Sequence, residues 1–272
     1  MKVSLDLVIN SGEEDVDMDY AIETLLGTSK VVSIISEAVL GGKVVSKRYP
    51  KNPIRNKLKH SFTGSYGQCF DLVVSDEKLA ERLRLIGNSA FSEIIGHYIY
   101  NALYLETKAL SIKAKAVIKE LEEIEDDLTL KIRNPLKTMH TISNMSGYSI
   151  DLNYRIAVGE KQKLVSLNEG TSKNITELYE SKERHVIEAI ITRFNSFTGN
   201  GRLLIKDEEL TTSFGFSKLF RYVTEEQKKK ATENLHENNS VAEDNRTYLK
   251  LLVTDMSIST GEVVKFLIEE IE

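Results

Sequence analysis

At 272 residues the chain is long enough to bury more than one sizeable core, and its 41% hydrophobic and 28% charged content excludes wholesale disorder. The single cysteine, Cys69, excludes an internal disulfide framework, and a net charge of -5 argues against a surface that is basic throughout. The five histidines (His60, His97, His140, His185 and His236) never fall at the i, i+4 spacing that puts two metal ligands on one helix face, so no metal or other cofactor is expected. The opening Met1-Lys2-Val3-Ser4-Leu5-Asp6 meets charge within six residues and lacks the apolar centre of a signal peptide. No apolar run is read as reaching the ~20 residues of a membrane span. The expectation is a soluble, cytoplasmic protein with no membrane partner.

In chain order, Val3 to Ile9 alternates apolar and polar residues as a half-buried strand does. Asp17 is placed to cap a helix carrying Met18, Ile22, Leu25, Leu26, Val32, Ile35 and Val39, and Gly41-Gly42 ends it. Lys43 to Tyr49 and Lys59 to Thr63 are read as basic strands around a turn containing Pro50 and Pro53, with Cys69 to Val74 as a third strand. From Glu77 the period is helical, and one run continues through Leu128, long enough either to hide a break or to pair with a second copy. Asn134-Pro135 has the form of a helix start. Ile150 to Val158 and Lys163 to Leu167 are strand candidates around Gly159-Glu160, and Gly170 to Arg184 is polar and helix-compatible.

The last stretch has a nameable order. Strands are expected at Val186 to Asn195, Arg202 to Asp207 and Thr211 to Phe216. A helix at Glu225 to Glu237 follows, with Thr224 as its cap, then strands at Tyr248 to Ile258 and Val263 to Ile268. Three strands, a helix and two strands is the order of the five-stranded Greek-key barrel of the oligonucleotide/oligosaccharide-binding type. Ile191-Thr192-Arg193-Phe194-Asn195 and Gly199-Asn200-Gly201-Arg202-Leu203-Leu204-Ile205 resemble the opening of a cold-shock domain, where Phe-Asn leads through a Gly-x-Gly turn. The resemblance implies aromatic platforms for bases around that turn. This chain has Asn200, Arg202 and Leu203 there instead, and keeps Phe194 and Phe197 nearby, so Phe194, Phe197 and Arg202 are the candidate barrel-surface residues. From His185 onward eleven Lys and Arg face fifteen Asp and Glu, which opposes approach to a phosphate backbone.

Charge is unevenly distributed. Seven basic residues and no acid lie between Lys43 and Lys59, whereas six acids and no base lie between Glu120 and Asp127. The candidate anion-binding residues are Lys47, Arg48, Tyr49, Lys51, Arg55, Lys57 and Lys59. Their partner would be nucleic acid, a nucleotide-like ligand or an acidic face; lysines that guard a sheet edge are the plainer reading. For chemistry, Asp71 with Glu106-Thr107-Lys108 has the letters of a metal-dependent nuclease. Ser29 lacks a Gly-x-Ser-x-Gly elbow, and Cys69 reads as a small buried hydrophobe. His97 and His140 read as satisfied histidines at helix interfaces.

The expected fold class is α+β: an N-terminal sheet with a packed helix (1–76), a helical middle with a short strand pair (77–184), and a small barrel (185–272). The whole pattern loosely resembles uncharacterised bacterial proteins, some associated with phage defence. That resemblance implies a non-enzymatic binding, sensing or assembly protein with a protein partner or further copies of itself. The alternatives are a nonspecific nucleic-acid binder and a metal-dependent nuclease or hydrolase with an unrecognised site.

Overall fold

The computed structural model describes residues 1–45, 51–62, 65–105, 107, 109–157, 159–258 and 260–272. The fold is α+β, and the chain divides into two compact units, Met1–Thr176 and Glu177–Glu272.

The first unit opens with β1 (Lys2–Ile9) and α1 (Met18–Gly41). Asp17 caps α1 through its carboxylate, which accepts the N–H groups of Asp19 and Tyr20 at 3.0 and 3.1 Å. Gly42 ends it in the left-handed region at φ 66°. The hairpin that follows differs from the sequence expectation. Lys43–Val45 is not strand, and the pair is β2 (Ile54–Phe62) with β3 (Tyr66–Val74). Pro53 stands just before β2, where a missing N–H interrupts no ladder.

The long helical run is broken. It forms α2 (Glu77–Ile86), α3 (Asn88–Ala102), α4 (Ile112–Glu120), a 3-10 turn (Glu122–Ile124) and α5 (Glu125–Met139), followed by α6 (Thr141–Ser146). Just past α3, Tyr104 takes φ 56°, which no helix continues through. The pieces pack into the unit's own core, so the run needs no second copy to bury its stripe. Pro135 lies inside α5 and does not start a helix there. Proline removes a helix hydrogen bond, but Leu128, Ile132, Leu136 and Met139 form one buried stripe that carries α5 through it.

β4 (Ile150–Ala157) and β5 (Glu160–Leu167) join the same antiparallel sheet, in the order β2-β3-β1-β4-β5, and α7 (Glu169–Thr176) closes the unit. The division at residue 76 therefore does not appear. One core runs from Val3 to Ile175, because helices drawn from the middle of the chain cover strands from both of its ends. α1 crosses that core. By length and composition it could span a membrane, contrary to the sequence reading, and 67% of its apolar window is buried inside the structure. It lies close against the end of α5 at Gly27, where an added Cβ would lie 2.2 Å from the backbone nitrogen of Met139.

The second unit comprises β6 (Tyr179–Phe194), β7 (Gly201–Ile205), β8 (Thr212–Phe216), α8 (Glu225–Glu237), β9 (Leu249–Ser257) and β10 (Val263–Ile271). The five strands close in the ring β10-β8-β7-β6-β9, with β8 and β10 parallel and every other pair antiparallel. This is the expected Greek-key order. β6 starts at Tyr179, earlier than expected; its first part pairs with β9 and its end with β7, so a single long strand closes the ring. Asn234, 2% exposed, fastens α8 below: its Oδ1 accepts from Ile191 N at 2.8 Å and its Nδ2 donates to Thr247 O at 2.7 Å.

Gly27→Ala should destabilise the first unit by roughly 1–3 kcal/mol, the usual range for overpacking a close contact. The urea midpoint reads it; an unchanged midpoint would mean that α1 and α5 are free to separate there.

Candidate functional site

The sheet of the first unit has two unlike faces, because successive side chains of a strand alternate. Val3, Leu5, Leu7 and Ile9 of β1 face the helices together with Phe70, Leu72, Ile150, Leu152 and Val165. On the other face the register brings Ser4 opposite Asp71, and Asp6 opposite both Cys69 and Asn153. Three carboxylates on this face are largely withdrawn from water: Asp6 at 0%, Asp71 at 4% and Asp151 at 9% exposure.

Each has cations from neighbouring strands. Asp6, on the middle strand, is reached by Arg155 of β4 at 3.0 Å and by Lys161 of β5 at 2.6 Å. Burial raises the Asp6 carboxyl, but hydrogen bonds from Lys161, Cys69 and Arg155 and the charge of Lys161 outweigh it and hold the group below its ordinary 3.8. Asp71 accepts from Ser4 Oγ at 2.8 Å and pairs with Lys59 at 3.1 Å and Lys2 at 3.5 Å. Burial again raises it, and the Ser4 and Lys59 hydrogen bonds with the two lysine charges bring it down. Asp151 pairs with Lys163 at 2.7 Å. There burial is outweighed by hydrogen bonds from Lys163, Ser166 and Asn10.

Cys69 is buried, as the sequence suggested, but its sulfur belongs to this polar network. Its sulfur lies 2.7 Å from Arg155 Nη1 and 3.4 Å from His60 Nε2. Burial pushes the thiol up, and its hydrogen bond to Asp6 and that carboxylate's charge push it further. It is therefore a thiol and not a thiolate, unsuited to attack. A ring of basic side chains surrounds the buried groups: Lys2, Arg55, Lys57, Lys59, Arg155, Lys161 and Lys163.

The sequence candidates fall unevenly on this picture. Arg55, Lys57 and Lys59 lie together on the edge strand β2, and Lys51 is exposed just before it. Lys47, Arg48 and Tyr49 lie outside the described residues, as do Glu106 and Lys108 of the nuclease reading. Asp71 is held by lysines where a metal would have to sit. Among the described residues no group of three or more His, Cys, Asp or Glu side chains could hold a metal ion. Sequence reasoning missed Lys2, Asp6, Arg155, Lys161 and Lys163, which are far apart in the chain and meet only through strand register. The available signal was alternation: each lies on the polar parity of its strand.

His140 is the satisfied histidine expected, with Nδ1 donating to Leu136 O at 2.7 Å and Nε2 2.9 Å from Thr171 Oγ1. His97 is not. Its ring nitrogens are buried without hydrogen-bond partners among the described residues, beside a small open cleft lined by Gly96 and Tyr100 of α3 and Leu164 of β5. Burial lowers the pKa of both rings.

In the barrel, Phe194 is not a surface platform. It stacks on Phe214 at 6.2 Å and meets Phe220 edge-on at 6.0 Å. The Gly-x-Gly turn serves this packing. A Cβ on Gly199 would lie 2.2 Å from the Phe220 ring, and one on Gly201 would lie 2.1 Å from Arg193 O. Arg202 braces the β7–β8 connection through Thr211, with Nε 2.8 Å from Oγ1 and Nη2 2.6 Å from the carbonyl. Phe197 alone of the three candidates projects freely, at 92% exposure. No family model matches the chain, and comparison with curated proteins and with solved structures gives no match.

Stability should fall with acid in two windows. His97 and His140 are harder to protonate folded than unfolded, so their contribution is intact above the ordinary 6.5 and is lost as pH falls below it. Asp6, Asp71 and Asp151 have depressed folded values, so theirs is intact above 3.8 and is lost as pH falls towards those values. Urea midpoints against pH should show both steps, and a midpoint rising on acidification contradicts the assignment. At pH 7 (a value well above the carboxylate window), Asp6→Asn should cost roughly 2–3 kcal/mol. That is below the ~3–5 of a fully buried pair, because Arg155 and Lys161 reach solvent.

Proposed function

We propose that this is a non-enzymatic, cytoplasmic bacterial binding protein that meets an anionic partner with the polar sheet face of its Met1–Thr176 unit. The observation that carries the reading is the charge ratio on that face, seven basic side chains around three buried carboxylates. Neutralising the carboxylates leaves positive charge in excess, and an excess of one sign on one face attracts a partner of the other. Binding is favoured over chemistry because the groups that could react are already engaged. Asp6, Asp71 and Asp151 are paired with protein cations, and the Cys69 thiol is held protonated. An accessory role that recruits a partner suits this arrangement, and it is the role that the likeness to defence-associated proteins implies.

The test is binding of polyanions (heparin, poly-glutamate and oligonucleotides) to the full chain across a salt series. At least one should bind, weaken steeply with salt, and be lost on Lys57→Glu with Lys163→Glu while the far-ultraviolet spectrum is unchanged. Failure of every polyanion to bind at low salt would sink the reading.

A further inference from the structure

Arg55 and Lys57 repeat with the period of β2, and Lys59 follows at the start of an irregularity in the β2–β3 ladder between Leu58 and Ser61. Arg55 stands opposite Val73 and Lys57 opposite Asp71, and Lys59 follows two residues later with its Nζ 3.1 Å from Asp71. Alternate residues on a strand are ~6.6–6.8 Å apart along its axis. That is close to the separation of successive phosphates in an extended single strand of nucleic acid. β2 lies at the edge of the sheet, so a chain laid along it meets no further strand. Lys161 and Lys163 sit on β5 at the opposite edge, four strand spacings or ~19 Å away by backbone, and their ammonium groups turn inward onto Asp6 and Asp151. A duplex turns its phosphates away from a straight row after a short contact, whereas a single strand can follow it.

Given that the face binds an anionic partner, we propose that the row Arg55, Lys57 and Lys59 takes the phosphodiester backbone of single-stranded nucleic acid, recognised by charge and not by sequence. All three residues are exposed. Recognition by charge alone needs a partner with a charge at every repeat. A phosphodiester backbone has one, and the folded surface of an acidic protein does not. Across the ladder Arg55 faces Val73 and Lys57 faces Asp71, and neither neighbour, among the described residues, reads base identity. The contact is therefore salt-sensitive and tolerant of sequence.

Fluorescence anisotropy of the full chain with a labelled oligothymidylate, its matched duplex and an unlabelled poly-glutamate competitor tests this. The single strand should bind more tightly than the duplex, with log K falling against log salt by ~0.7 for each phosphate neutralised, about 2 for three cations. Arg55→Ala with Lys57→Ala should weaken binding about tenfold or more at low salt and flatten that slope by about 1 to 1.4. Lys78→Ala, on the exposed start of α2, should change neither. A circular-dichroism melt of the double variant that matches the parent shows that its fold is intact, and Arg55→Gln with Lys57→Gln serves if it does not. If poly-glutamate or heparin binds through Lys57 while the oligonucleotide does not, this inference fails and the broader reading stands. If no polyanion binds, both fail. Equal affinity for duplex overturns the single-strand assignment. Binding lost on Phe197→Ala but kept in the double variant assigns it to the barrel and overturns the row.

Discussion

A carboxylate with no exposed surface, in the middle strand of a five-stranded sheet, constrains everything around it. Asp6 cannot stay ionised in that position unless its neighbours supply charge, since burial alone would favour the neutral acid. The charge comes across the sheet: Arg155 from the adjacent strand and Lys161 from the strand beyond. Both belong to the β4–β5 hairpin, roughly 150 residues along the chain from Asp6. The pairing therefore ties the start of the first unit to its end, and it specifies register. A one-residue slip of β4 against β1 would turn Arg155 towards the helices and Tyr154 away from them. Lys161 also lies over the Phe62 ring, 4.4 Å from its centroid, and that ring is accommodated by Gly67. The buried network is thus lidded by aromatic and aliphatic surface from the two opposite edges of the sheet.

The second unit is organised by close packing instead. Phe194, Phe214, Phe216 and Phe220 form one aromatic cluster, and the Gly199-x-Gly201 turn is shaped by it. Asn195 completes the turn: its side-chain oxygen accepts from Phe197 N and Thr198 N, and its backbone carbonyl accepts from Gly199 N. The Phe-Asn and Gly-x-Gly letters that give the likeness to cold-shock domains thus have a complete explanation in packing. The same letters would be required whether or not the barrel met a base. With Arg202 held by Thr211 and Phe194 turned inward, Phe197 is what remains of the aromatic surface around that turn.

Local signals in the sequence carried far, and non-local ones did not. Asp17, Gly42 and Thr224 bound their helices where capping chemistry puts them. The barrel's element order was legible because hairpin turns and strand alternation are short-range. Two local readings failed for tertiary reasons. Pro135 sits within a helix because the buried stripe of α5 outweighs one lost hydrogen bond. Lys43 is outside any strand because β2 takes its register from β3, beginning at Ile54 opposite Val74. The candidate site was half legible. A run of bases marked β2, but Asp6, Arg155 and Lys161 are single polar residues in unrelated segments, and only the strand order β2-β3-β1-β4-β5 brings them together.

Lysines on an edge strand have a familiar use in keeping sheets from pairing edge to edge. That use acts in the plane of the sheet, against an approaching strand. Here Lys59 projects from the face, because its ammonium group reaches Asp71 on the neighbouring strand, and Lys161 and Lys163 do the same from the other edge. Neutralising three aspartates accounts for part of this set. Lys57 stands opposite Asp71 and Arg55 opposite Val73, so the exposed basic row runs from the buried acid towards the start of β2. A row of like charge on one exposed face acts on what approaches the face, a different direction from the in-plane guarding of a sheet edge.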